Sequence, residues 1–161
     1  MRRARPTAKR APSIDIIVAS RRWKAKRGVT SLLRRAIAEA AGMVSTSGGE
    51  LAIVLTDDSR IRALNKAWRG KDEPTNVLSF PARPPVLGDI VIAFETLSRE
   101  AKAERKLFAH HLAHLAVHGY LHLAGYDHER DDEADAMEAL ETAILGRLKV
   151  PDPYVARNRK G

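Results

Sequence analysis

The sequence of 161 residues has no cysteine and no apolar run that approaches the length of a membrane-spanning helix. The lack of cysteine excludes disulfide bonds and any metal site built from thiolates. It also fits a reducing compartment, so we expect a cytoplasmic protein that does not enter a membrane. No apolar segment follows the basic N-terminus, which argues against a secretory signal, and Pro6 and Pro12 argue against a long transit helix.

Acidic residues are scarce at both ends of the chain. Residues 1–35 contain twelve Lys or Arg and one acid, Asp15, and residues 147–161 contain five Lys or Arg and one acid, Asp152. The intervening residues hold eleven Lys or Arg against eighteen Asp or Glu. Basic ends on an acidic body are typical of polyanion binding, and we favour RNA over the alternative that the ends only aid solubility.

Length and composition predict a single folded domain. A chain of this size can bury a core and is short for two domains. Residues 1–12 are mostly Arg, Lys, Ala and Pro and have little to bury, which predicts a disordered basic arm. We place the domain at residues 13–150 and a basic C-terminal tail at residues 151–161.

Hydrophobic patterning predicts four strands together with four or five helices. The strands are residues 14–18, 51–55, 77–80 and 89–94. The helices run from Thr30 or Ser31 to Gly42, from Asp57 or Asp58 to Gly70, from Ser98 to Leu123 with or without a break near Lys106, and from Asp131 or Asp132 onward. This order predicts an α/β protein of the α+β type with one sheet.

The two tryptophans have different settings in this pattern. Trp68 shares one apolar helix face with Ile61 and Leu64. Trp23 lies in a basic cluster, residues 21–27, and either stacks on a base or anchors its loop to the core. In the last helix, the pattern directs five residues inward: Ala134, Met137, Leu140, Ile144 and Leu145.

All six histidines lie between His110 and His128. His118 and His122 are four residues apart, so a helix presents them on one face. Gly125 can adopt a positive φ and turn the chain back, which delivers His128 to the same point. Three nitrogen donors with an open fourth position are usual in catalytic zinc sites. We therefore predict one Zn²⁺ per chain, bound by His118, His122 and His128.

The neighbouring residues have less specific interpretations. We expect His110 and His111 to be exposed or hydrogen-bonded. His114, one turn before His118, is either a core residue or a support for a ligand. Asp127 either orients a ligand or caps a turn. Histidine sites accept several divalent metals, so the sequence does not name the ion that is loaded.

The spacing of the predicted ligands is zincin-like, because it matches the long zinc-protease motif His-Glu-x-x-His-x-x-Gly-x-x-His. Gly125 matches the glycine of that motif, but Gly119 stands where the motif has glutamate. That glutamate is the general base of the proteases. The replacement argues against peptide cleavage by the usual route and leaves hydrolysis of another substrate open.

Three stretches together resemble the YbeY family of bacterial endoribonucleases. They are residues 64–81, LNKAWRGKDEPTNVLSFP, residues 87–92, LGDIVI, and the histidine motif at residues 118–128. One departure is Asn76, where the family more often has aspartate. The resemblance implies a small mixed four-stranded sheet flanked by helices, with zinc at the end of the His118 helix.

The same resemblance implies a function. The family consists of endoribonucleases of rRNA maturation, which implies zinc-dependent cleavage of single-stranded RNA, action at the 16S rRNA 3′ end, and ribosome or small-subunit partners. It also implies a catalytic role for Arg69, near the charge that develops on the phosphate. The nucleophile is water or the neighbouring 2′-hydroxyl. The alternatives are a zinc hydrolase of another substrate, such as a peptide, and a non-enzymatic ribosome-assembly factor with structural zinc.

Overall fold

The computed structural model describes residues 11–46 and 48–155. Four strands within these residues form one sheet: β1 (Ser13–Val18), β2 (Glu50–Thr56), β3 (Val77–Pro81) and β4 (Val86–Ala93). Their order is β1-β2-β4-β3; the first three are parallel and β3 pairs antiparallel with β4. The predicted mixed four-stranded sheet is thus confirmed, and β3 lies at its edge.

Five α-helices lie in the described part of the chain, in agreement with the expected four to five. They are α1 (Val29–Met43), α2 (Asp58–Arg69), α3 (Phe94–Ala103), α4 (Phe108–Leu123) and α5 (Asp131–Arg147). The break near Lys106 separates α3 from α4. Among the residues described, none of the helices combines the length and the apolar character that a membrane crossing requires.

Side-chain alternation along the strands divides the core between the two faces of the sheet. On one face, Ile53 and Ile92 are fully buried among residues of α1, α4 and α5. On the other face, Val91 packs with Leu78 and with Ile61 of α2 in a smaller cluster. Helices therefore cover both faces, and α2 is separated from α4 by the sheet.

The start of α3 corrects the sequence prediction, because this helix begins at Phe94 and not at Ser98. Its cap comes from the first turn of α2. Asp58 Oδ1 accepts a hydrogen bond from the Thr96 backbone N–H at 3.0 Å, and the Glu95 carboxylate accepts one from the Asp58 N–H at 3.3 Å. The two helix starts cap each other across a long sequence separation, so no local pattern marks this start.

A second correction concerns α1, which begins after Gly28 and not at a Thr30 or Ser31 cap. Gly28 occupies the N-cap position with a φ of 76°, and no side chain caps the helix there. A positive φ is readily adopted by glycine, so backbone shape starts this helix where a hydroxyl cap was expected.

The two tryptophans occupy contrasting places. Trp23 is 3% exposed, and its Nε1 donates a hydrogen bond to the Thr56 carbonyl at 2.9 Å, so it anchors its loop to the core. Trp68 shares a helix face with Ile61 as predicted, yet it is 73% exposed. Its ring meets Phe80 edge-on, with 6.1 Å between ring centroids.

The predicted arm and tail fall partly outside the described residues. Residues 1–10 and 156–161 lie outside the described residues, so the arm prediction and most of the tail prediction stay predictions. Residues 151–155 pack back onto the fold. Lys106 Nζ donates a hydrogen bond to the Pro153 carbonyl at 3.2 Å, and the Tyr154 hydroxyl donates one to Glu141.

Candidate metal centre

Helix α4 carries five of the six histidines and lies very close to the sheet. A Cβ atom built on Gly119 would lie 2.9 Å from Cγ2 of Ile90 in β4, so only glycine fits there without displacement. The Gly119 carbonyl accepts a hydrogen bond from Ser79 Oγ of β3 at 3.3 Å. On the other side, the Tyr120 hydroxyl donates to the Val44 carbonyl at 2.6 Å. These contacts fix the helix that presents the histidines.

The structure brings the three predicted ligands together. His118 and His122 lie one turn apart near the end of α4, and His128 reaches them from the loop that follows. Each offers one ring nitrogen, and the three atoms lie within 4.8 Å of one another. The Nε2 atoms of His118 and His122 are 3.0 Å apart. The 3.0 Å separation suits two nitrogens that bind one ion at about 2.0–2.1 Å each.

The turn after α4 delivers His128. Gly125 has a φ of 100°, as the sequence predicted for the residue that reverses the chain. The Tyr126 N–H then donates to the Leu121 carbonyl at 2.9 Å and closes the end of the helix. Asp127 Oδ1 accepts a hydrogen bond from the His128 N–H at 2.7 Å, which favours the turn-capping interpretation of Asp127.

Hydrogen bonds at Nδ1 orient two of the rings. His118 Nδ1 donates to Glu141 Oε1 at 2.7 Å, and His122 Nδ1 donates to the Tyr126 carbonyl at 3.0 Å. Both Nε2 atoms are thereby directed toward each other. Metal-bound histidines usually donate their second nitrogen to a carboxylate or carbonyl in this way. The donor set and its supports therefore fit a divalent cation such as zinc.

His122 is held in the form that binds metals. Burial lowers its pKa, and the neighbouring His118 and His128 lower it further, against a smaller opposing effect of its bond to the Tyr126 carbonyl. A lowered pKa keeps the imidazole neutral near pH 7, and the neutral ring is the metal ligand.

Glu141 of α5 is a site residue that the sequence analysis missed. Its side chain is buried, and it accepts hydrogen bonds from His114 Nε2 at 2.6 Å, from His118 Nδ1 at 2.7 Å and from the Tyr154 hydroxyl. Burial alone would raise its pKa, but the bonds from His114 and His118 lower the pKa to about 2. Glu141 is therefore ionised at neutral pH and holds His118 in one orientation.

The remaining histidines on α4 serve other contacts. His111 is buried, and its Nε2 donates to Glu100 Oε1 at 3.0 Å, which agrees with the hydrogen-bonded role expected for it. Asn76 Nδ2 donates to the same carboxylate at 2.8 Å. Asn76, where the family more often has aspartate, therefore gives Glu100 a hydrogen bond without neutralising its charge. His114 supports a predicted ligand through their shared partner Glu141.

A cavity of about 600 Å³ opens beside the three histidines and also contains Arg69. Arg69 ends α2, and the wall between it and α4 is formed by edge strand β3 through Val77, Ser79 and Pro81. Within residues 11–46 and 48–155, no hydrogen bond or ion pair engages the Arg69 guanidinium. All four site residues predicted from the sequence thus line one cavity. The Arg69 guanidinium in this cavity is available to an anionic ligand.

Comparison with known proteins identifies the family. The sequence profile of the family described as endoribonuclease YbeY matches residues 17–149. The chain belongs to this family. The endoribonuclease YbeY of Nitrobacter winogradskyi is 56% identical over 92% of this chain and 85% of the relative. That of a Bradyrhizobium strain is 52% identical over 92% of this chain and 95% of the relative.

A solved structure with a similar fold is also found. The solution structure of TM1509 from Thermotoga maritima superposes with a TM-score of 0.59 at 25% identity, over 84% of this chain and 91% of that one. The part of the chain that matches the YbeY family includes Arg69, the three histidines and Glu141.

Proposed function

We propose that this YbeY-family chain is a zinc-dependent, single-strand-specific endoribonuclease that acts at the 16S rRNA 3′ end and in ribosome quality control. The observation that carries the proposal is the presence of three convergent histidine nitrogens and an unengaged Arg69 in one cavity. The relatives are named endoribonuclease YbeY, which supports RNA as the substrate. The proposed setting is the cytoplasm, with rRNA and small-subunit components as partners.

His118, His122 and His128 would hold the zinc ion. The chemistry that zinc supplies in such a site is polarisation of a phosphoryl oxygen and activation of water near neutral pH. Glu141 keeps the His118 ring oriented, and Arg69 reaches the same cavity from the opposite face of the sheet. A guanidinium can donate two parallel hydrogen bonds to a phosphate, so Arg69 would bind the phosphate and offset its developing charge.

The local packing argues against the peptidase alternative. The general base of the zinc proteases would occupy position 119, but Gly119 faces Ile90 of β4 and its Cβ position is crowded. A carboxylate on this backbone would have to displace the sheet residue before it could serve a metal. The described part of the chain therefore lacks a counterpart of the protease base at that position.

The composition of the site argues against a purely structural zinc. Structural zinc sites usually have four protein ligands and are closed to solvent. The described residues supply a cluster of three histidines, of which His128 is exposed, and the cluster borders an open cavity. An open fourth position beside a free guanidinium favours catalysis.

The deciding experiment measures cleavage of a single-stranded RNA by the metal-stripped and zinc-reloaded protein and its Arg69 variants. We expect Arg69→Ala to lower the cleavage rate by about 10²–10³-fold, as for loss of a comparable charge-stabilising donor, with zinc content and melting temperature unchanged. Arg69→Lys should recover little of the rate, because an ammonium lacks the two-pronged geometry.

Arg62→Ala is the matched control, since Arg62 lies on the same helix but is paired with Asp72 at 2.8 Å. It should cleave at nearly the parental rate. Parental cleavage by Arg69→Ala would show that Arg69 is not catalytic. A parent that cleaves no RNA and unfolds without zinc would support the structural alternative, and zinc-dependent peptide hydrolysis without RNA cleavage would support the peptidase alternative.

A further inference from the structure

Trp68 differs from the other aromatic side chains in its exposure to solvent. Trp23 is buried and packs with the partly buried Phe94 and Phe108, with ring centroids 5.3–5.8 Å apart. Trp68 is instead 73% exposed, and Phe80 meets it by an edge-to-face contact. An indole left this exposed adds little to folding through burial, so its flat apolar surface is free to contact a ligand.

The charges around Trp68 indicate what kind of ligand approaches. Trp68 directly precedes Arg69, which lines the metal cavity, and the exposed Lys71 follows after the helix-ending Gly70. The charged groups of these two side chains have no hydrogen bond or ion pair with any residue in 11–46 or 48–155. The nearby Asp72 already pairs with a cation of α2 at 2.8 Å. An exposed aromatic ring and two unpaired cationic side chains thus lie in one stretch, residues 68–71, of which Arg69 lines the metal cavity.

A single-stranded nucleic acid has the matching chemistry. Each nucleotide pairs a flat, uncharged base with an anionic phosphate, and proteins bind such strands by stacking bases on aromatic rings beside cationic side chains. An acidic peptide would satisfy the cations but would present no flat ring at every residue. In a duplex, the base faces are stacked on one another and cannot reach an indole.

We propose that Trp68 stacks against an unpaired base of the RNA strand whose phosphate is bound by Arg69. The identity of the strand rests on the proposed endoribonuclease function. The stacking adds a physical source for single-strand preference, because it requires a base face, and in a duplex both faces of each base are covered by the neighbouring base pairs. Trp68 is not among the residues that line the metal cavity, so we place it in binding and not in the chemical step.

Intrinsic fluorescence tests the contact directly, since the chain has two tryptophans and Trp23 is buried. The zinc-loaded full-length protein is titrated with a single-stranded oligoadenylate that carries 2′-O-methyl groups. We expect the emission of Trp68 to be quenched in a saturable manner. Trp68→Phe should abolish the quenching while keeping most of the affinity, because phenylalanine also stacks.

Affinity measurements separate stacking from charge. Trp68→Ala should weaken binding of the single strand by roughly 5- to 160-fold, the range measured for loss of one base–aromatic stack. The slope of log affinity against log salt should not change, because an indole neutralises no phosphate. Ile17→Ala is the matched control: Ile17 is 45% exposed on β1, at the opposite edge of the sheet, and should bind RNA like the parent.

The outcomes distinguish this inference from the proposed function. If Trp68→Ala retains its melting temperature and binds and cleaves single-stranded RNA like the parent, the stacking is wrong and the function stands. An equal loss of single-strand and duplex affinity would also overturn the stacking. If the parent shows quenching and the expected loss in Trp68→Ala, yet cleaves no RNA, the stacking stands and the proposed cleavage is wrong.

Discussion

Two pairs of histidines on the same helix have opposite hydrogen-bonding arrangements. In the first pair, His111 and His114 use Nε2, the outer ring nitrogen, to contact Glu100 at 3.0 Å and Glu141 at 2.6 Å. Their Nδ1 atoms are buried without a partner among the described residues. The outer nitrogens of this pair are therefore already occupied, and the pair cannot offer them to a metal.

In the second pair, His118 and His122 use Nδ1 for the supporting bond, and their Nε2 atoms lie 3.0 Å apart within the three-histidine cluster. The partners are again protein oxygens, one from Glu141 and one from a backbone carbonyl. The two pairs differ chiefly in which nitrogen is engaged. The position of a supporting oxygen, and not residue type or helix spacing alone, thus separates a candidate ligand from a packing residue.

The strongest test of this contrast substitutes one histidine from each pair. We expect His122→Ala to lose zinc and RNA cleavage, because it removes one of three ligands. His111→Ala should retain zinc, since His111 contacts Glu100 and not the cluster. Metal analysis of the purified variants gives the answer, with thermal melting as the fold control. Full zinc occupancy in an active His122→Ala protein would rule out this site.

A smaller effect is expected when Glu141, the hydrogen-bond acceptor shared by His114 and His118, is changed. Glu141→Gln should weaken zinc binding by about 10–100-fold, because an amide cannot accept from both His114 and His118 as a carboxylate does. Competition against a metal chelator measures the affinity. Tyr154→Phe is the control that leaves the carboxylate in place, and it should have a lesser effect. Equal zinc affinity in Glu141→Gln and the parent would separate Glu141 from the metal site.

The smallest effect is a change in the free energy of unfolding, and it concerns Glu100, the partner of His111 in the first pair. Burial tends to raise the pKa of Glu100, but its hydrogen bonds with His111 and Asn76 lower it below 4.5. A lowered folded-state pKa gives a stabilisation that is present above pH 4.5 and is lost as pH falls through the folded value. Glu100→Gln should therefore lower the free energy of unfolding at pH 7 by about 1 kcal/mol.

The difference between Glu100→Gln and the parent should shrink as the pH falls below about 4.5, the ordinary carboxyl value. Urea denaturation of both proteins at pH 7, 5 and 4 provides the comparison. Zinc content at pH 7 should be equal, because Glu100 does not contact the cluster. A stability difference that is constant with pH would mean that the ionised carboxylate of Glu100 is not what stabilises the fold.

Local patterns predicted those parts of the molecule that depend on neighbours in the chain. His118, His122 and His128 were identified by their spacing, and Gly125 by the conformational freedom of glycine at the end of a helix. The strands were recognised because β-branched and apolar residues cluster in each. Each of these signals lies within a few neighbouring residues, so it can be recognised without knowledge of the fold.

The features that were missed depend on distant partners. Glu141 contacts histidines 23 and 27 residues away in sequence, and its only local sign was an acid between the inward Met137 and Ile144. The start of α3 depends on Asp58, 38 residues before Thr96. The small cluster beneath α2 includes Ile61 and Leu64 but not Trp68, so the exposure of Trp68 depends on the tertiary packing. None of these could be read from periodicity alone.

Gly119 also limits the evolutionary routes open to this fold. Conversion of the histidine motif into the protease motif would begin with Gly119→Glu, but the new Cβ would meet Ile90 at 2.9 Å, and overpacking of this kind costs about 1–3 kcal/mol. Trimming Ile90 first would leave a void in the fully buried core, at about 2–5 kcal/mol for Ile90→Ala. Either order passes through a less stable intermediate, so the two motifs are separated by a cost in folding stability despite their shared spacing.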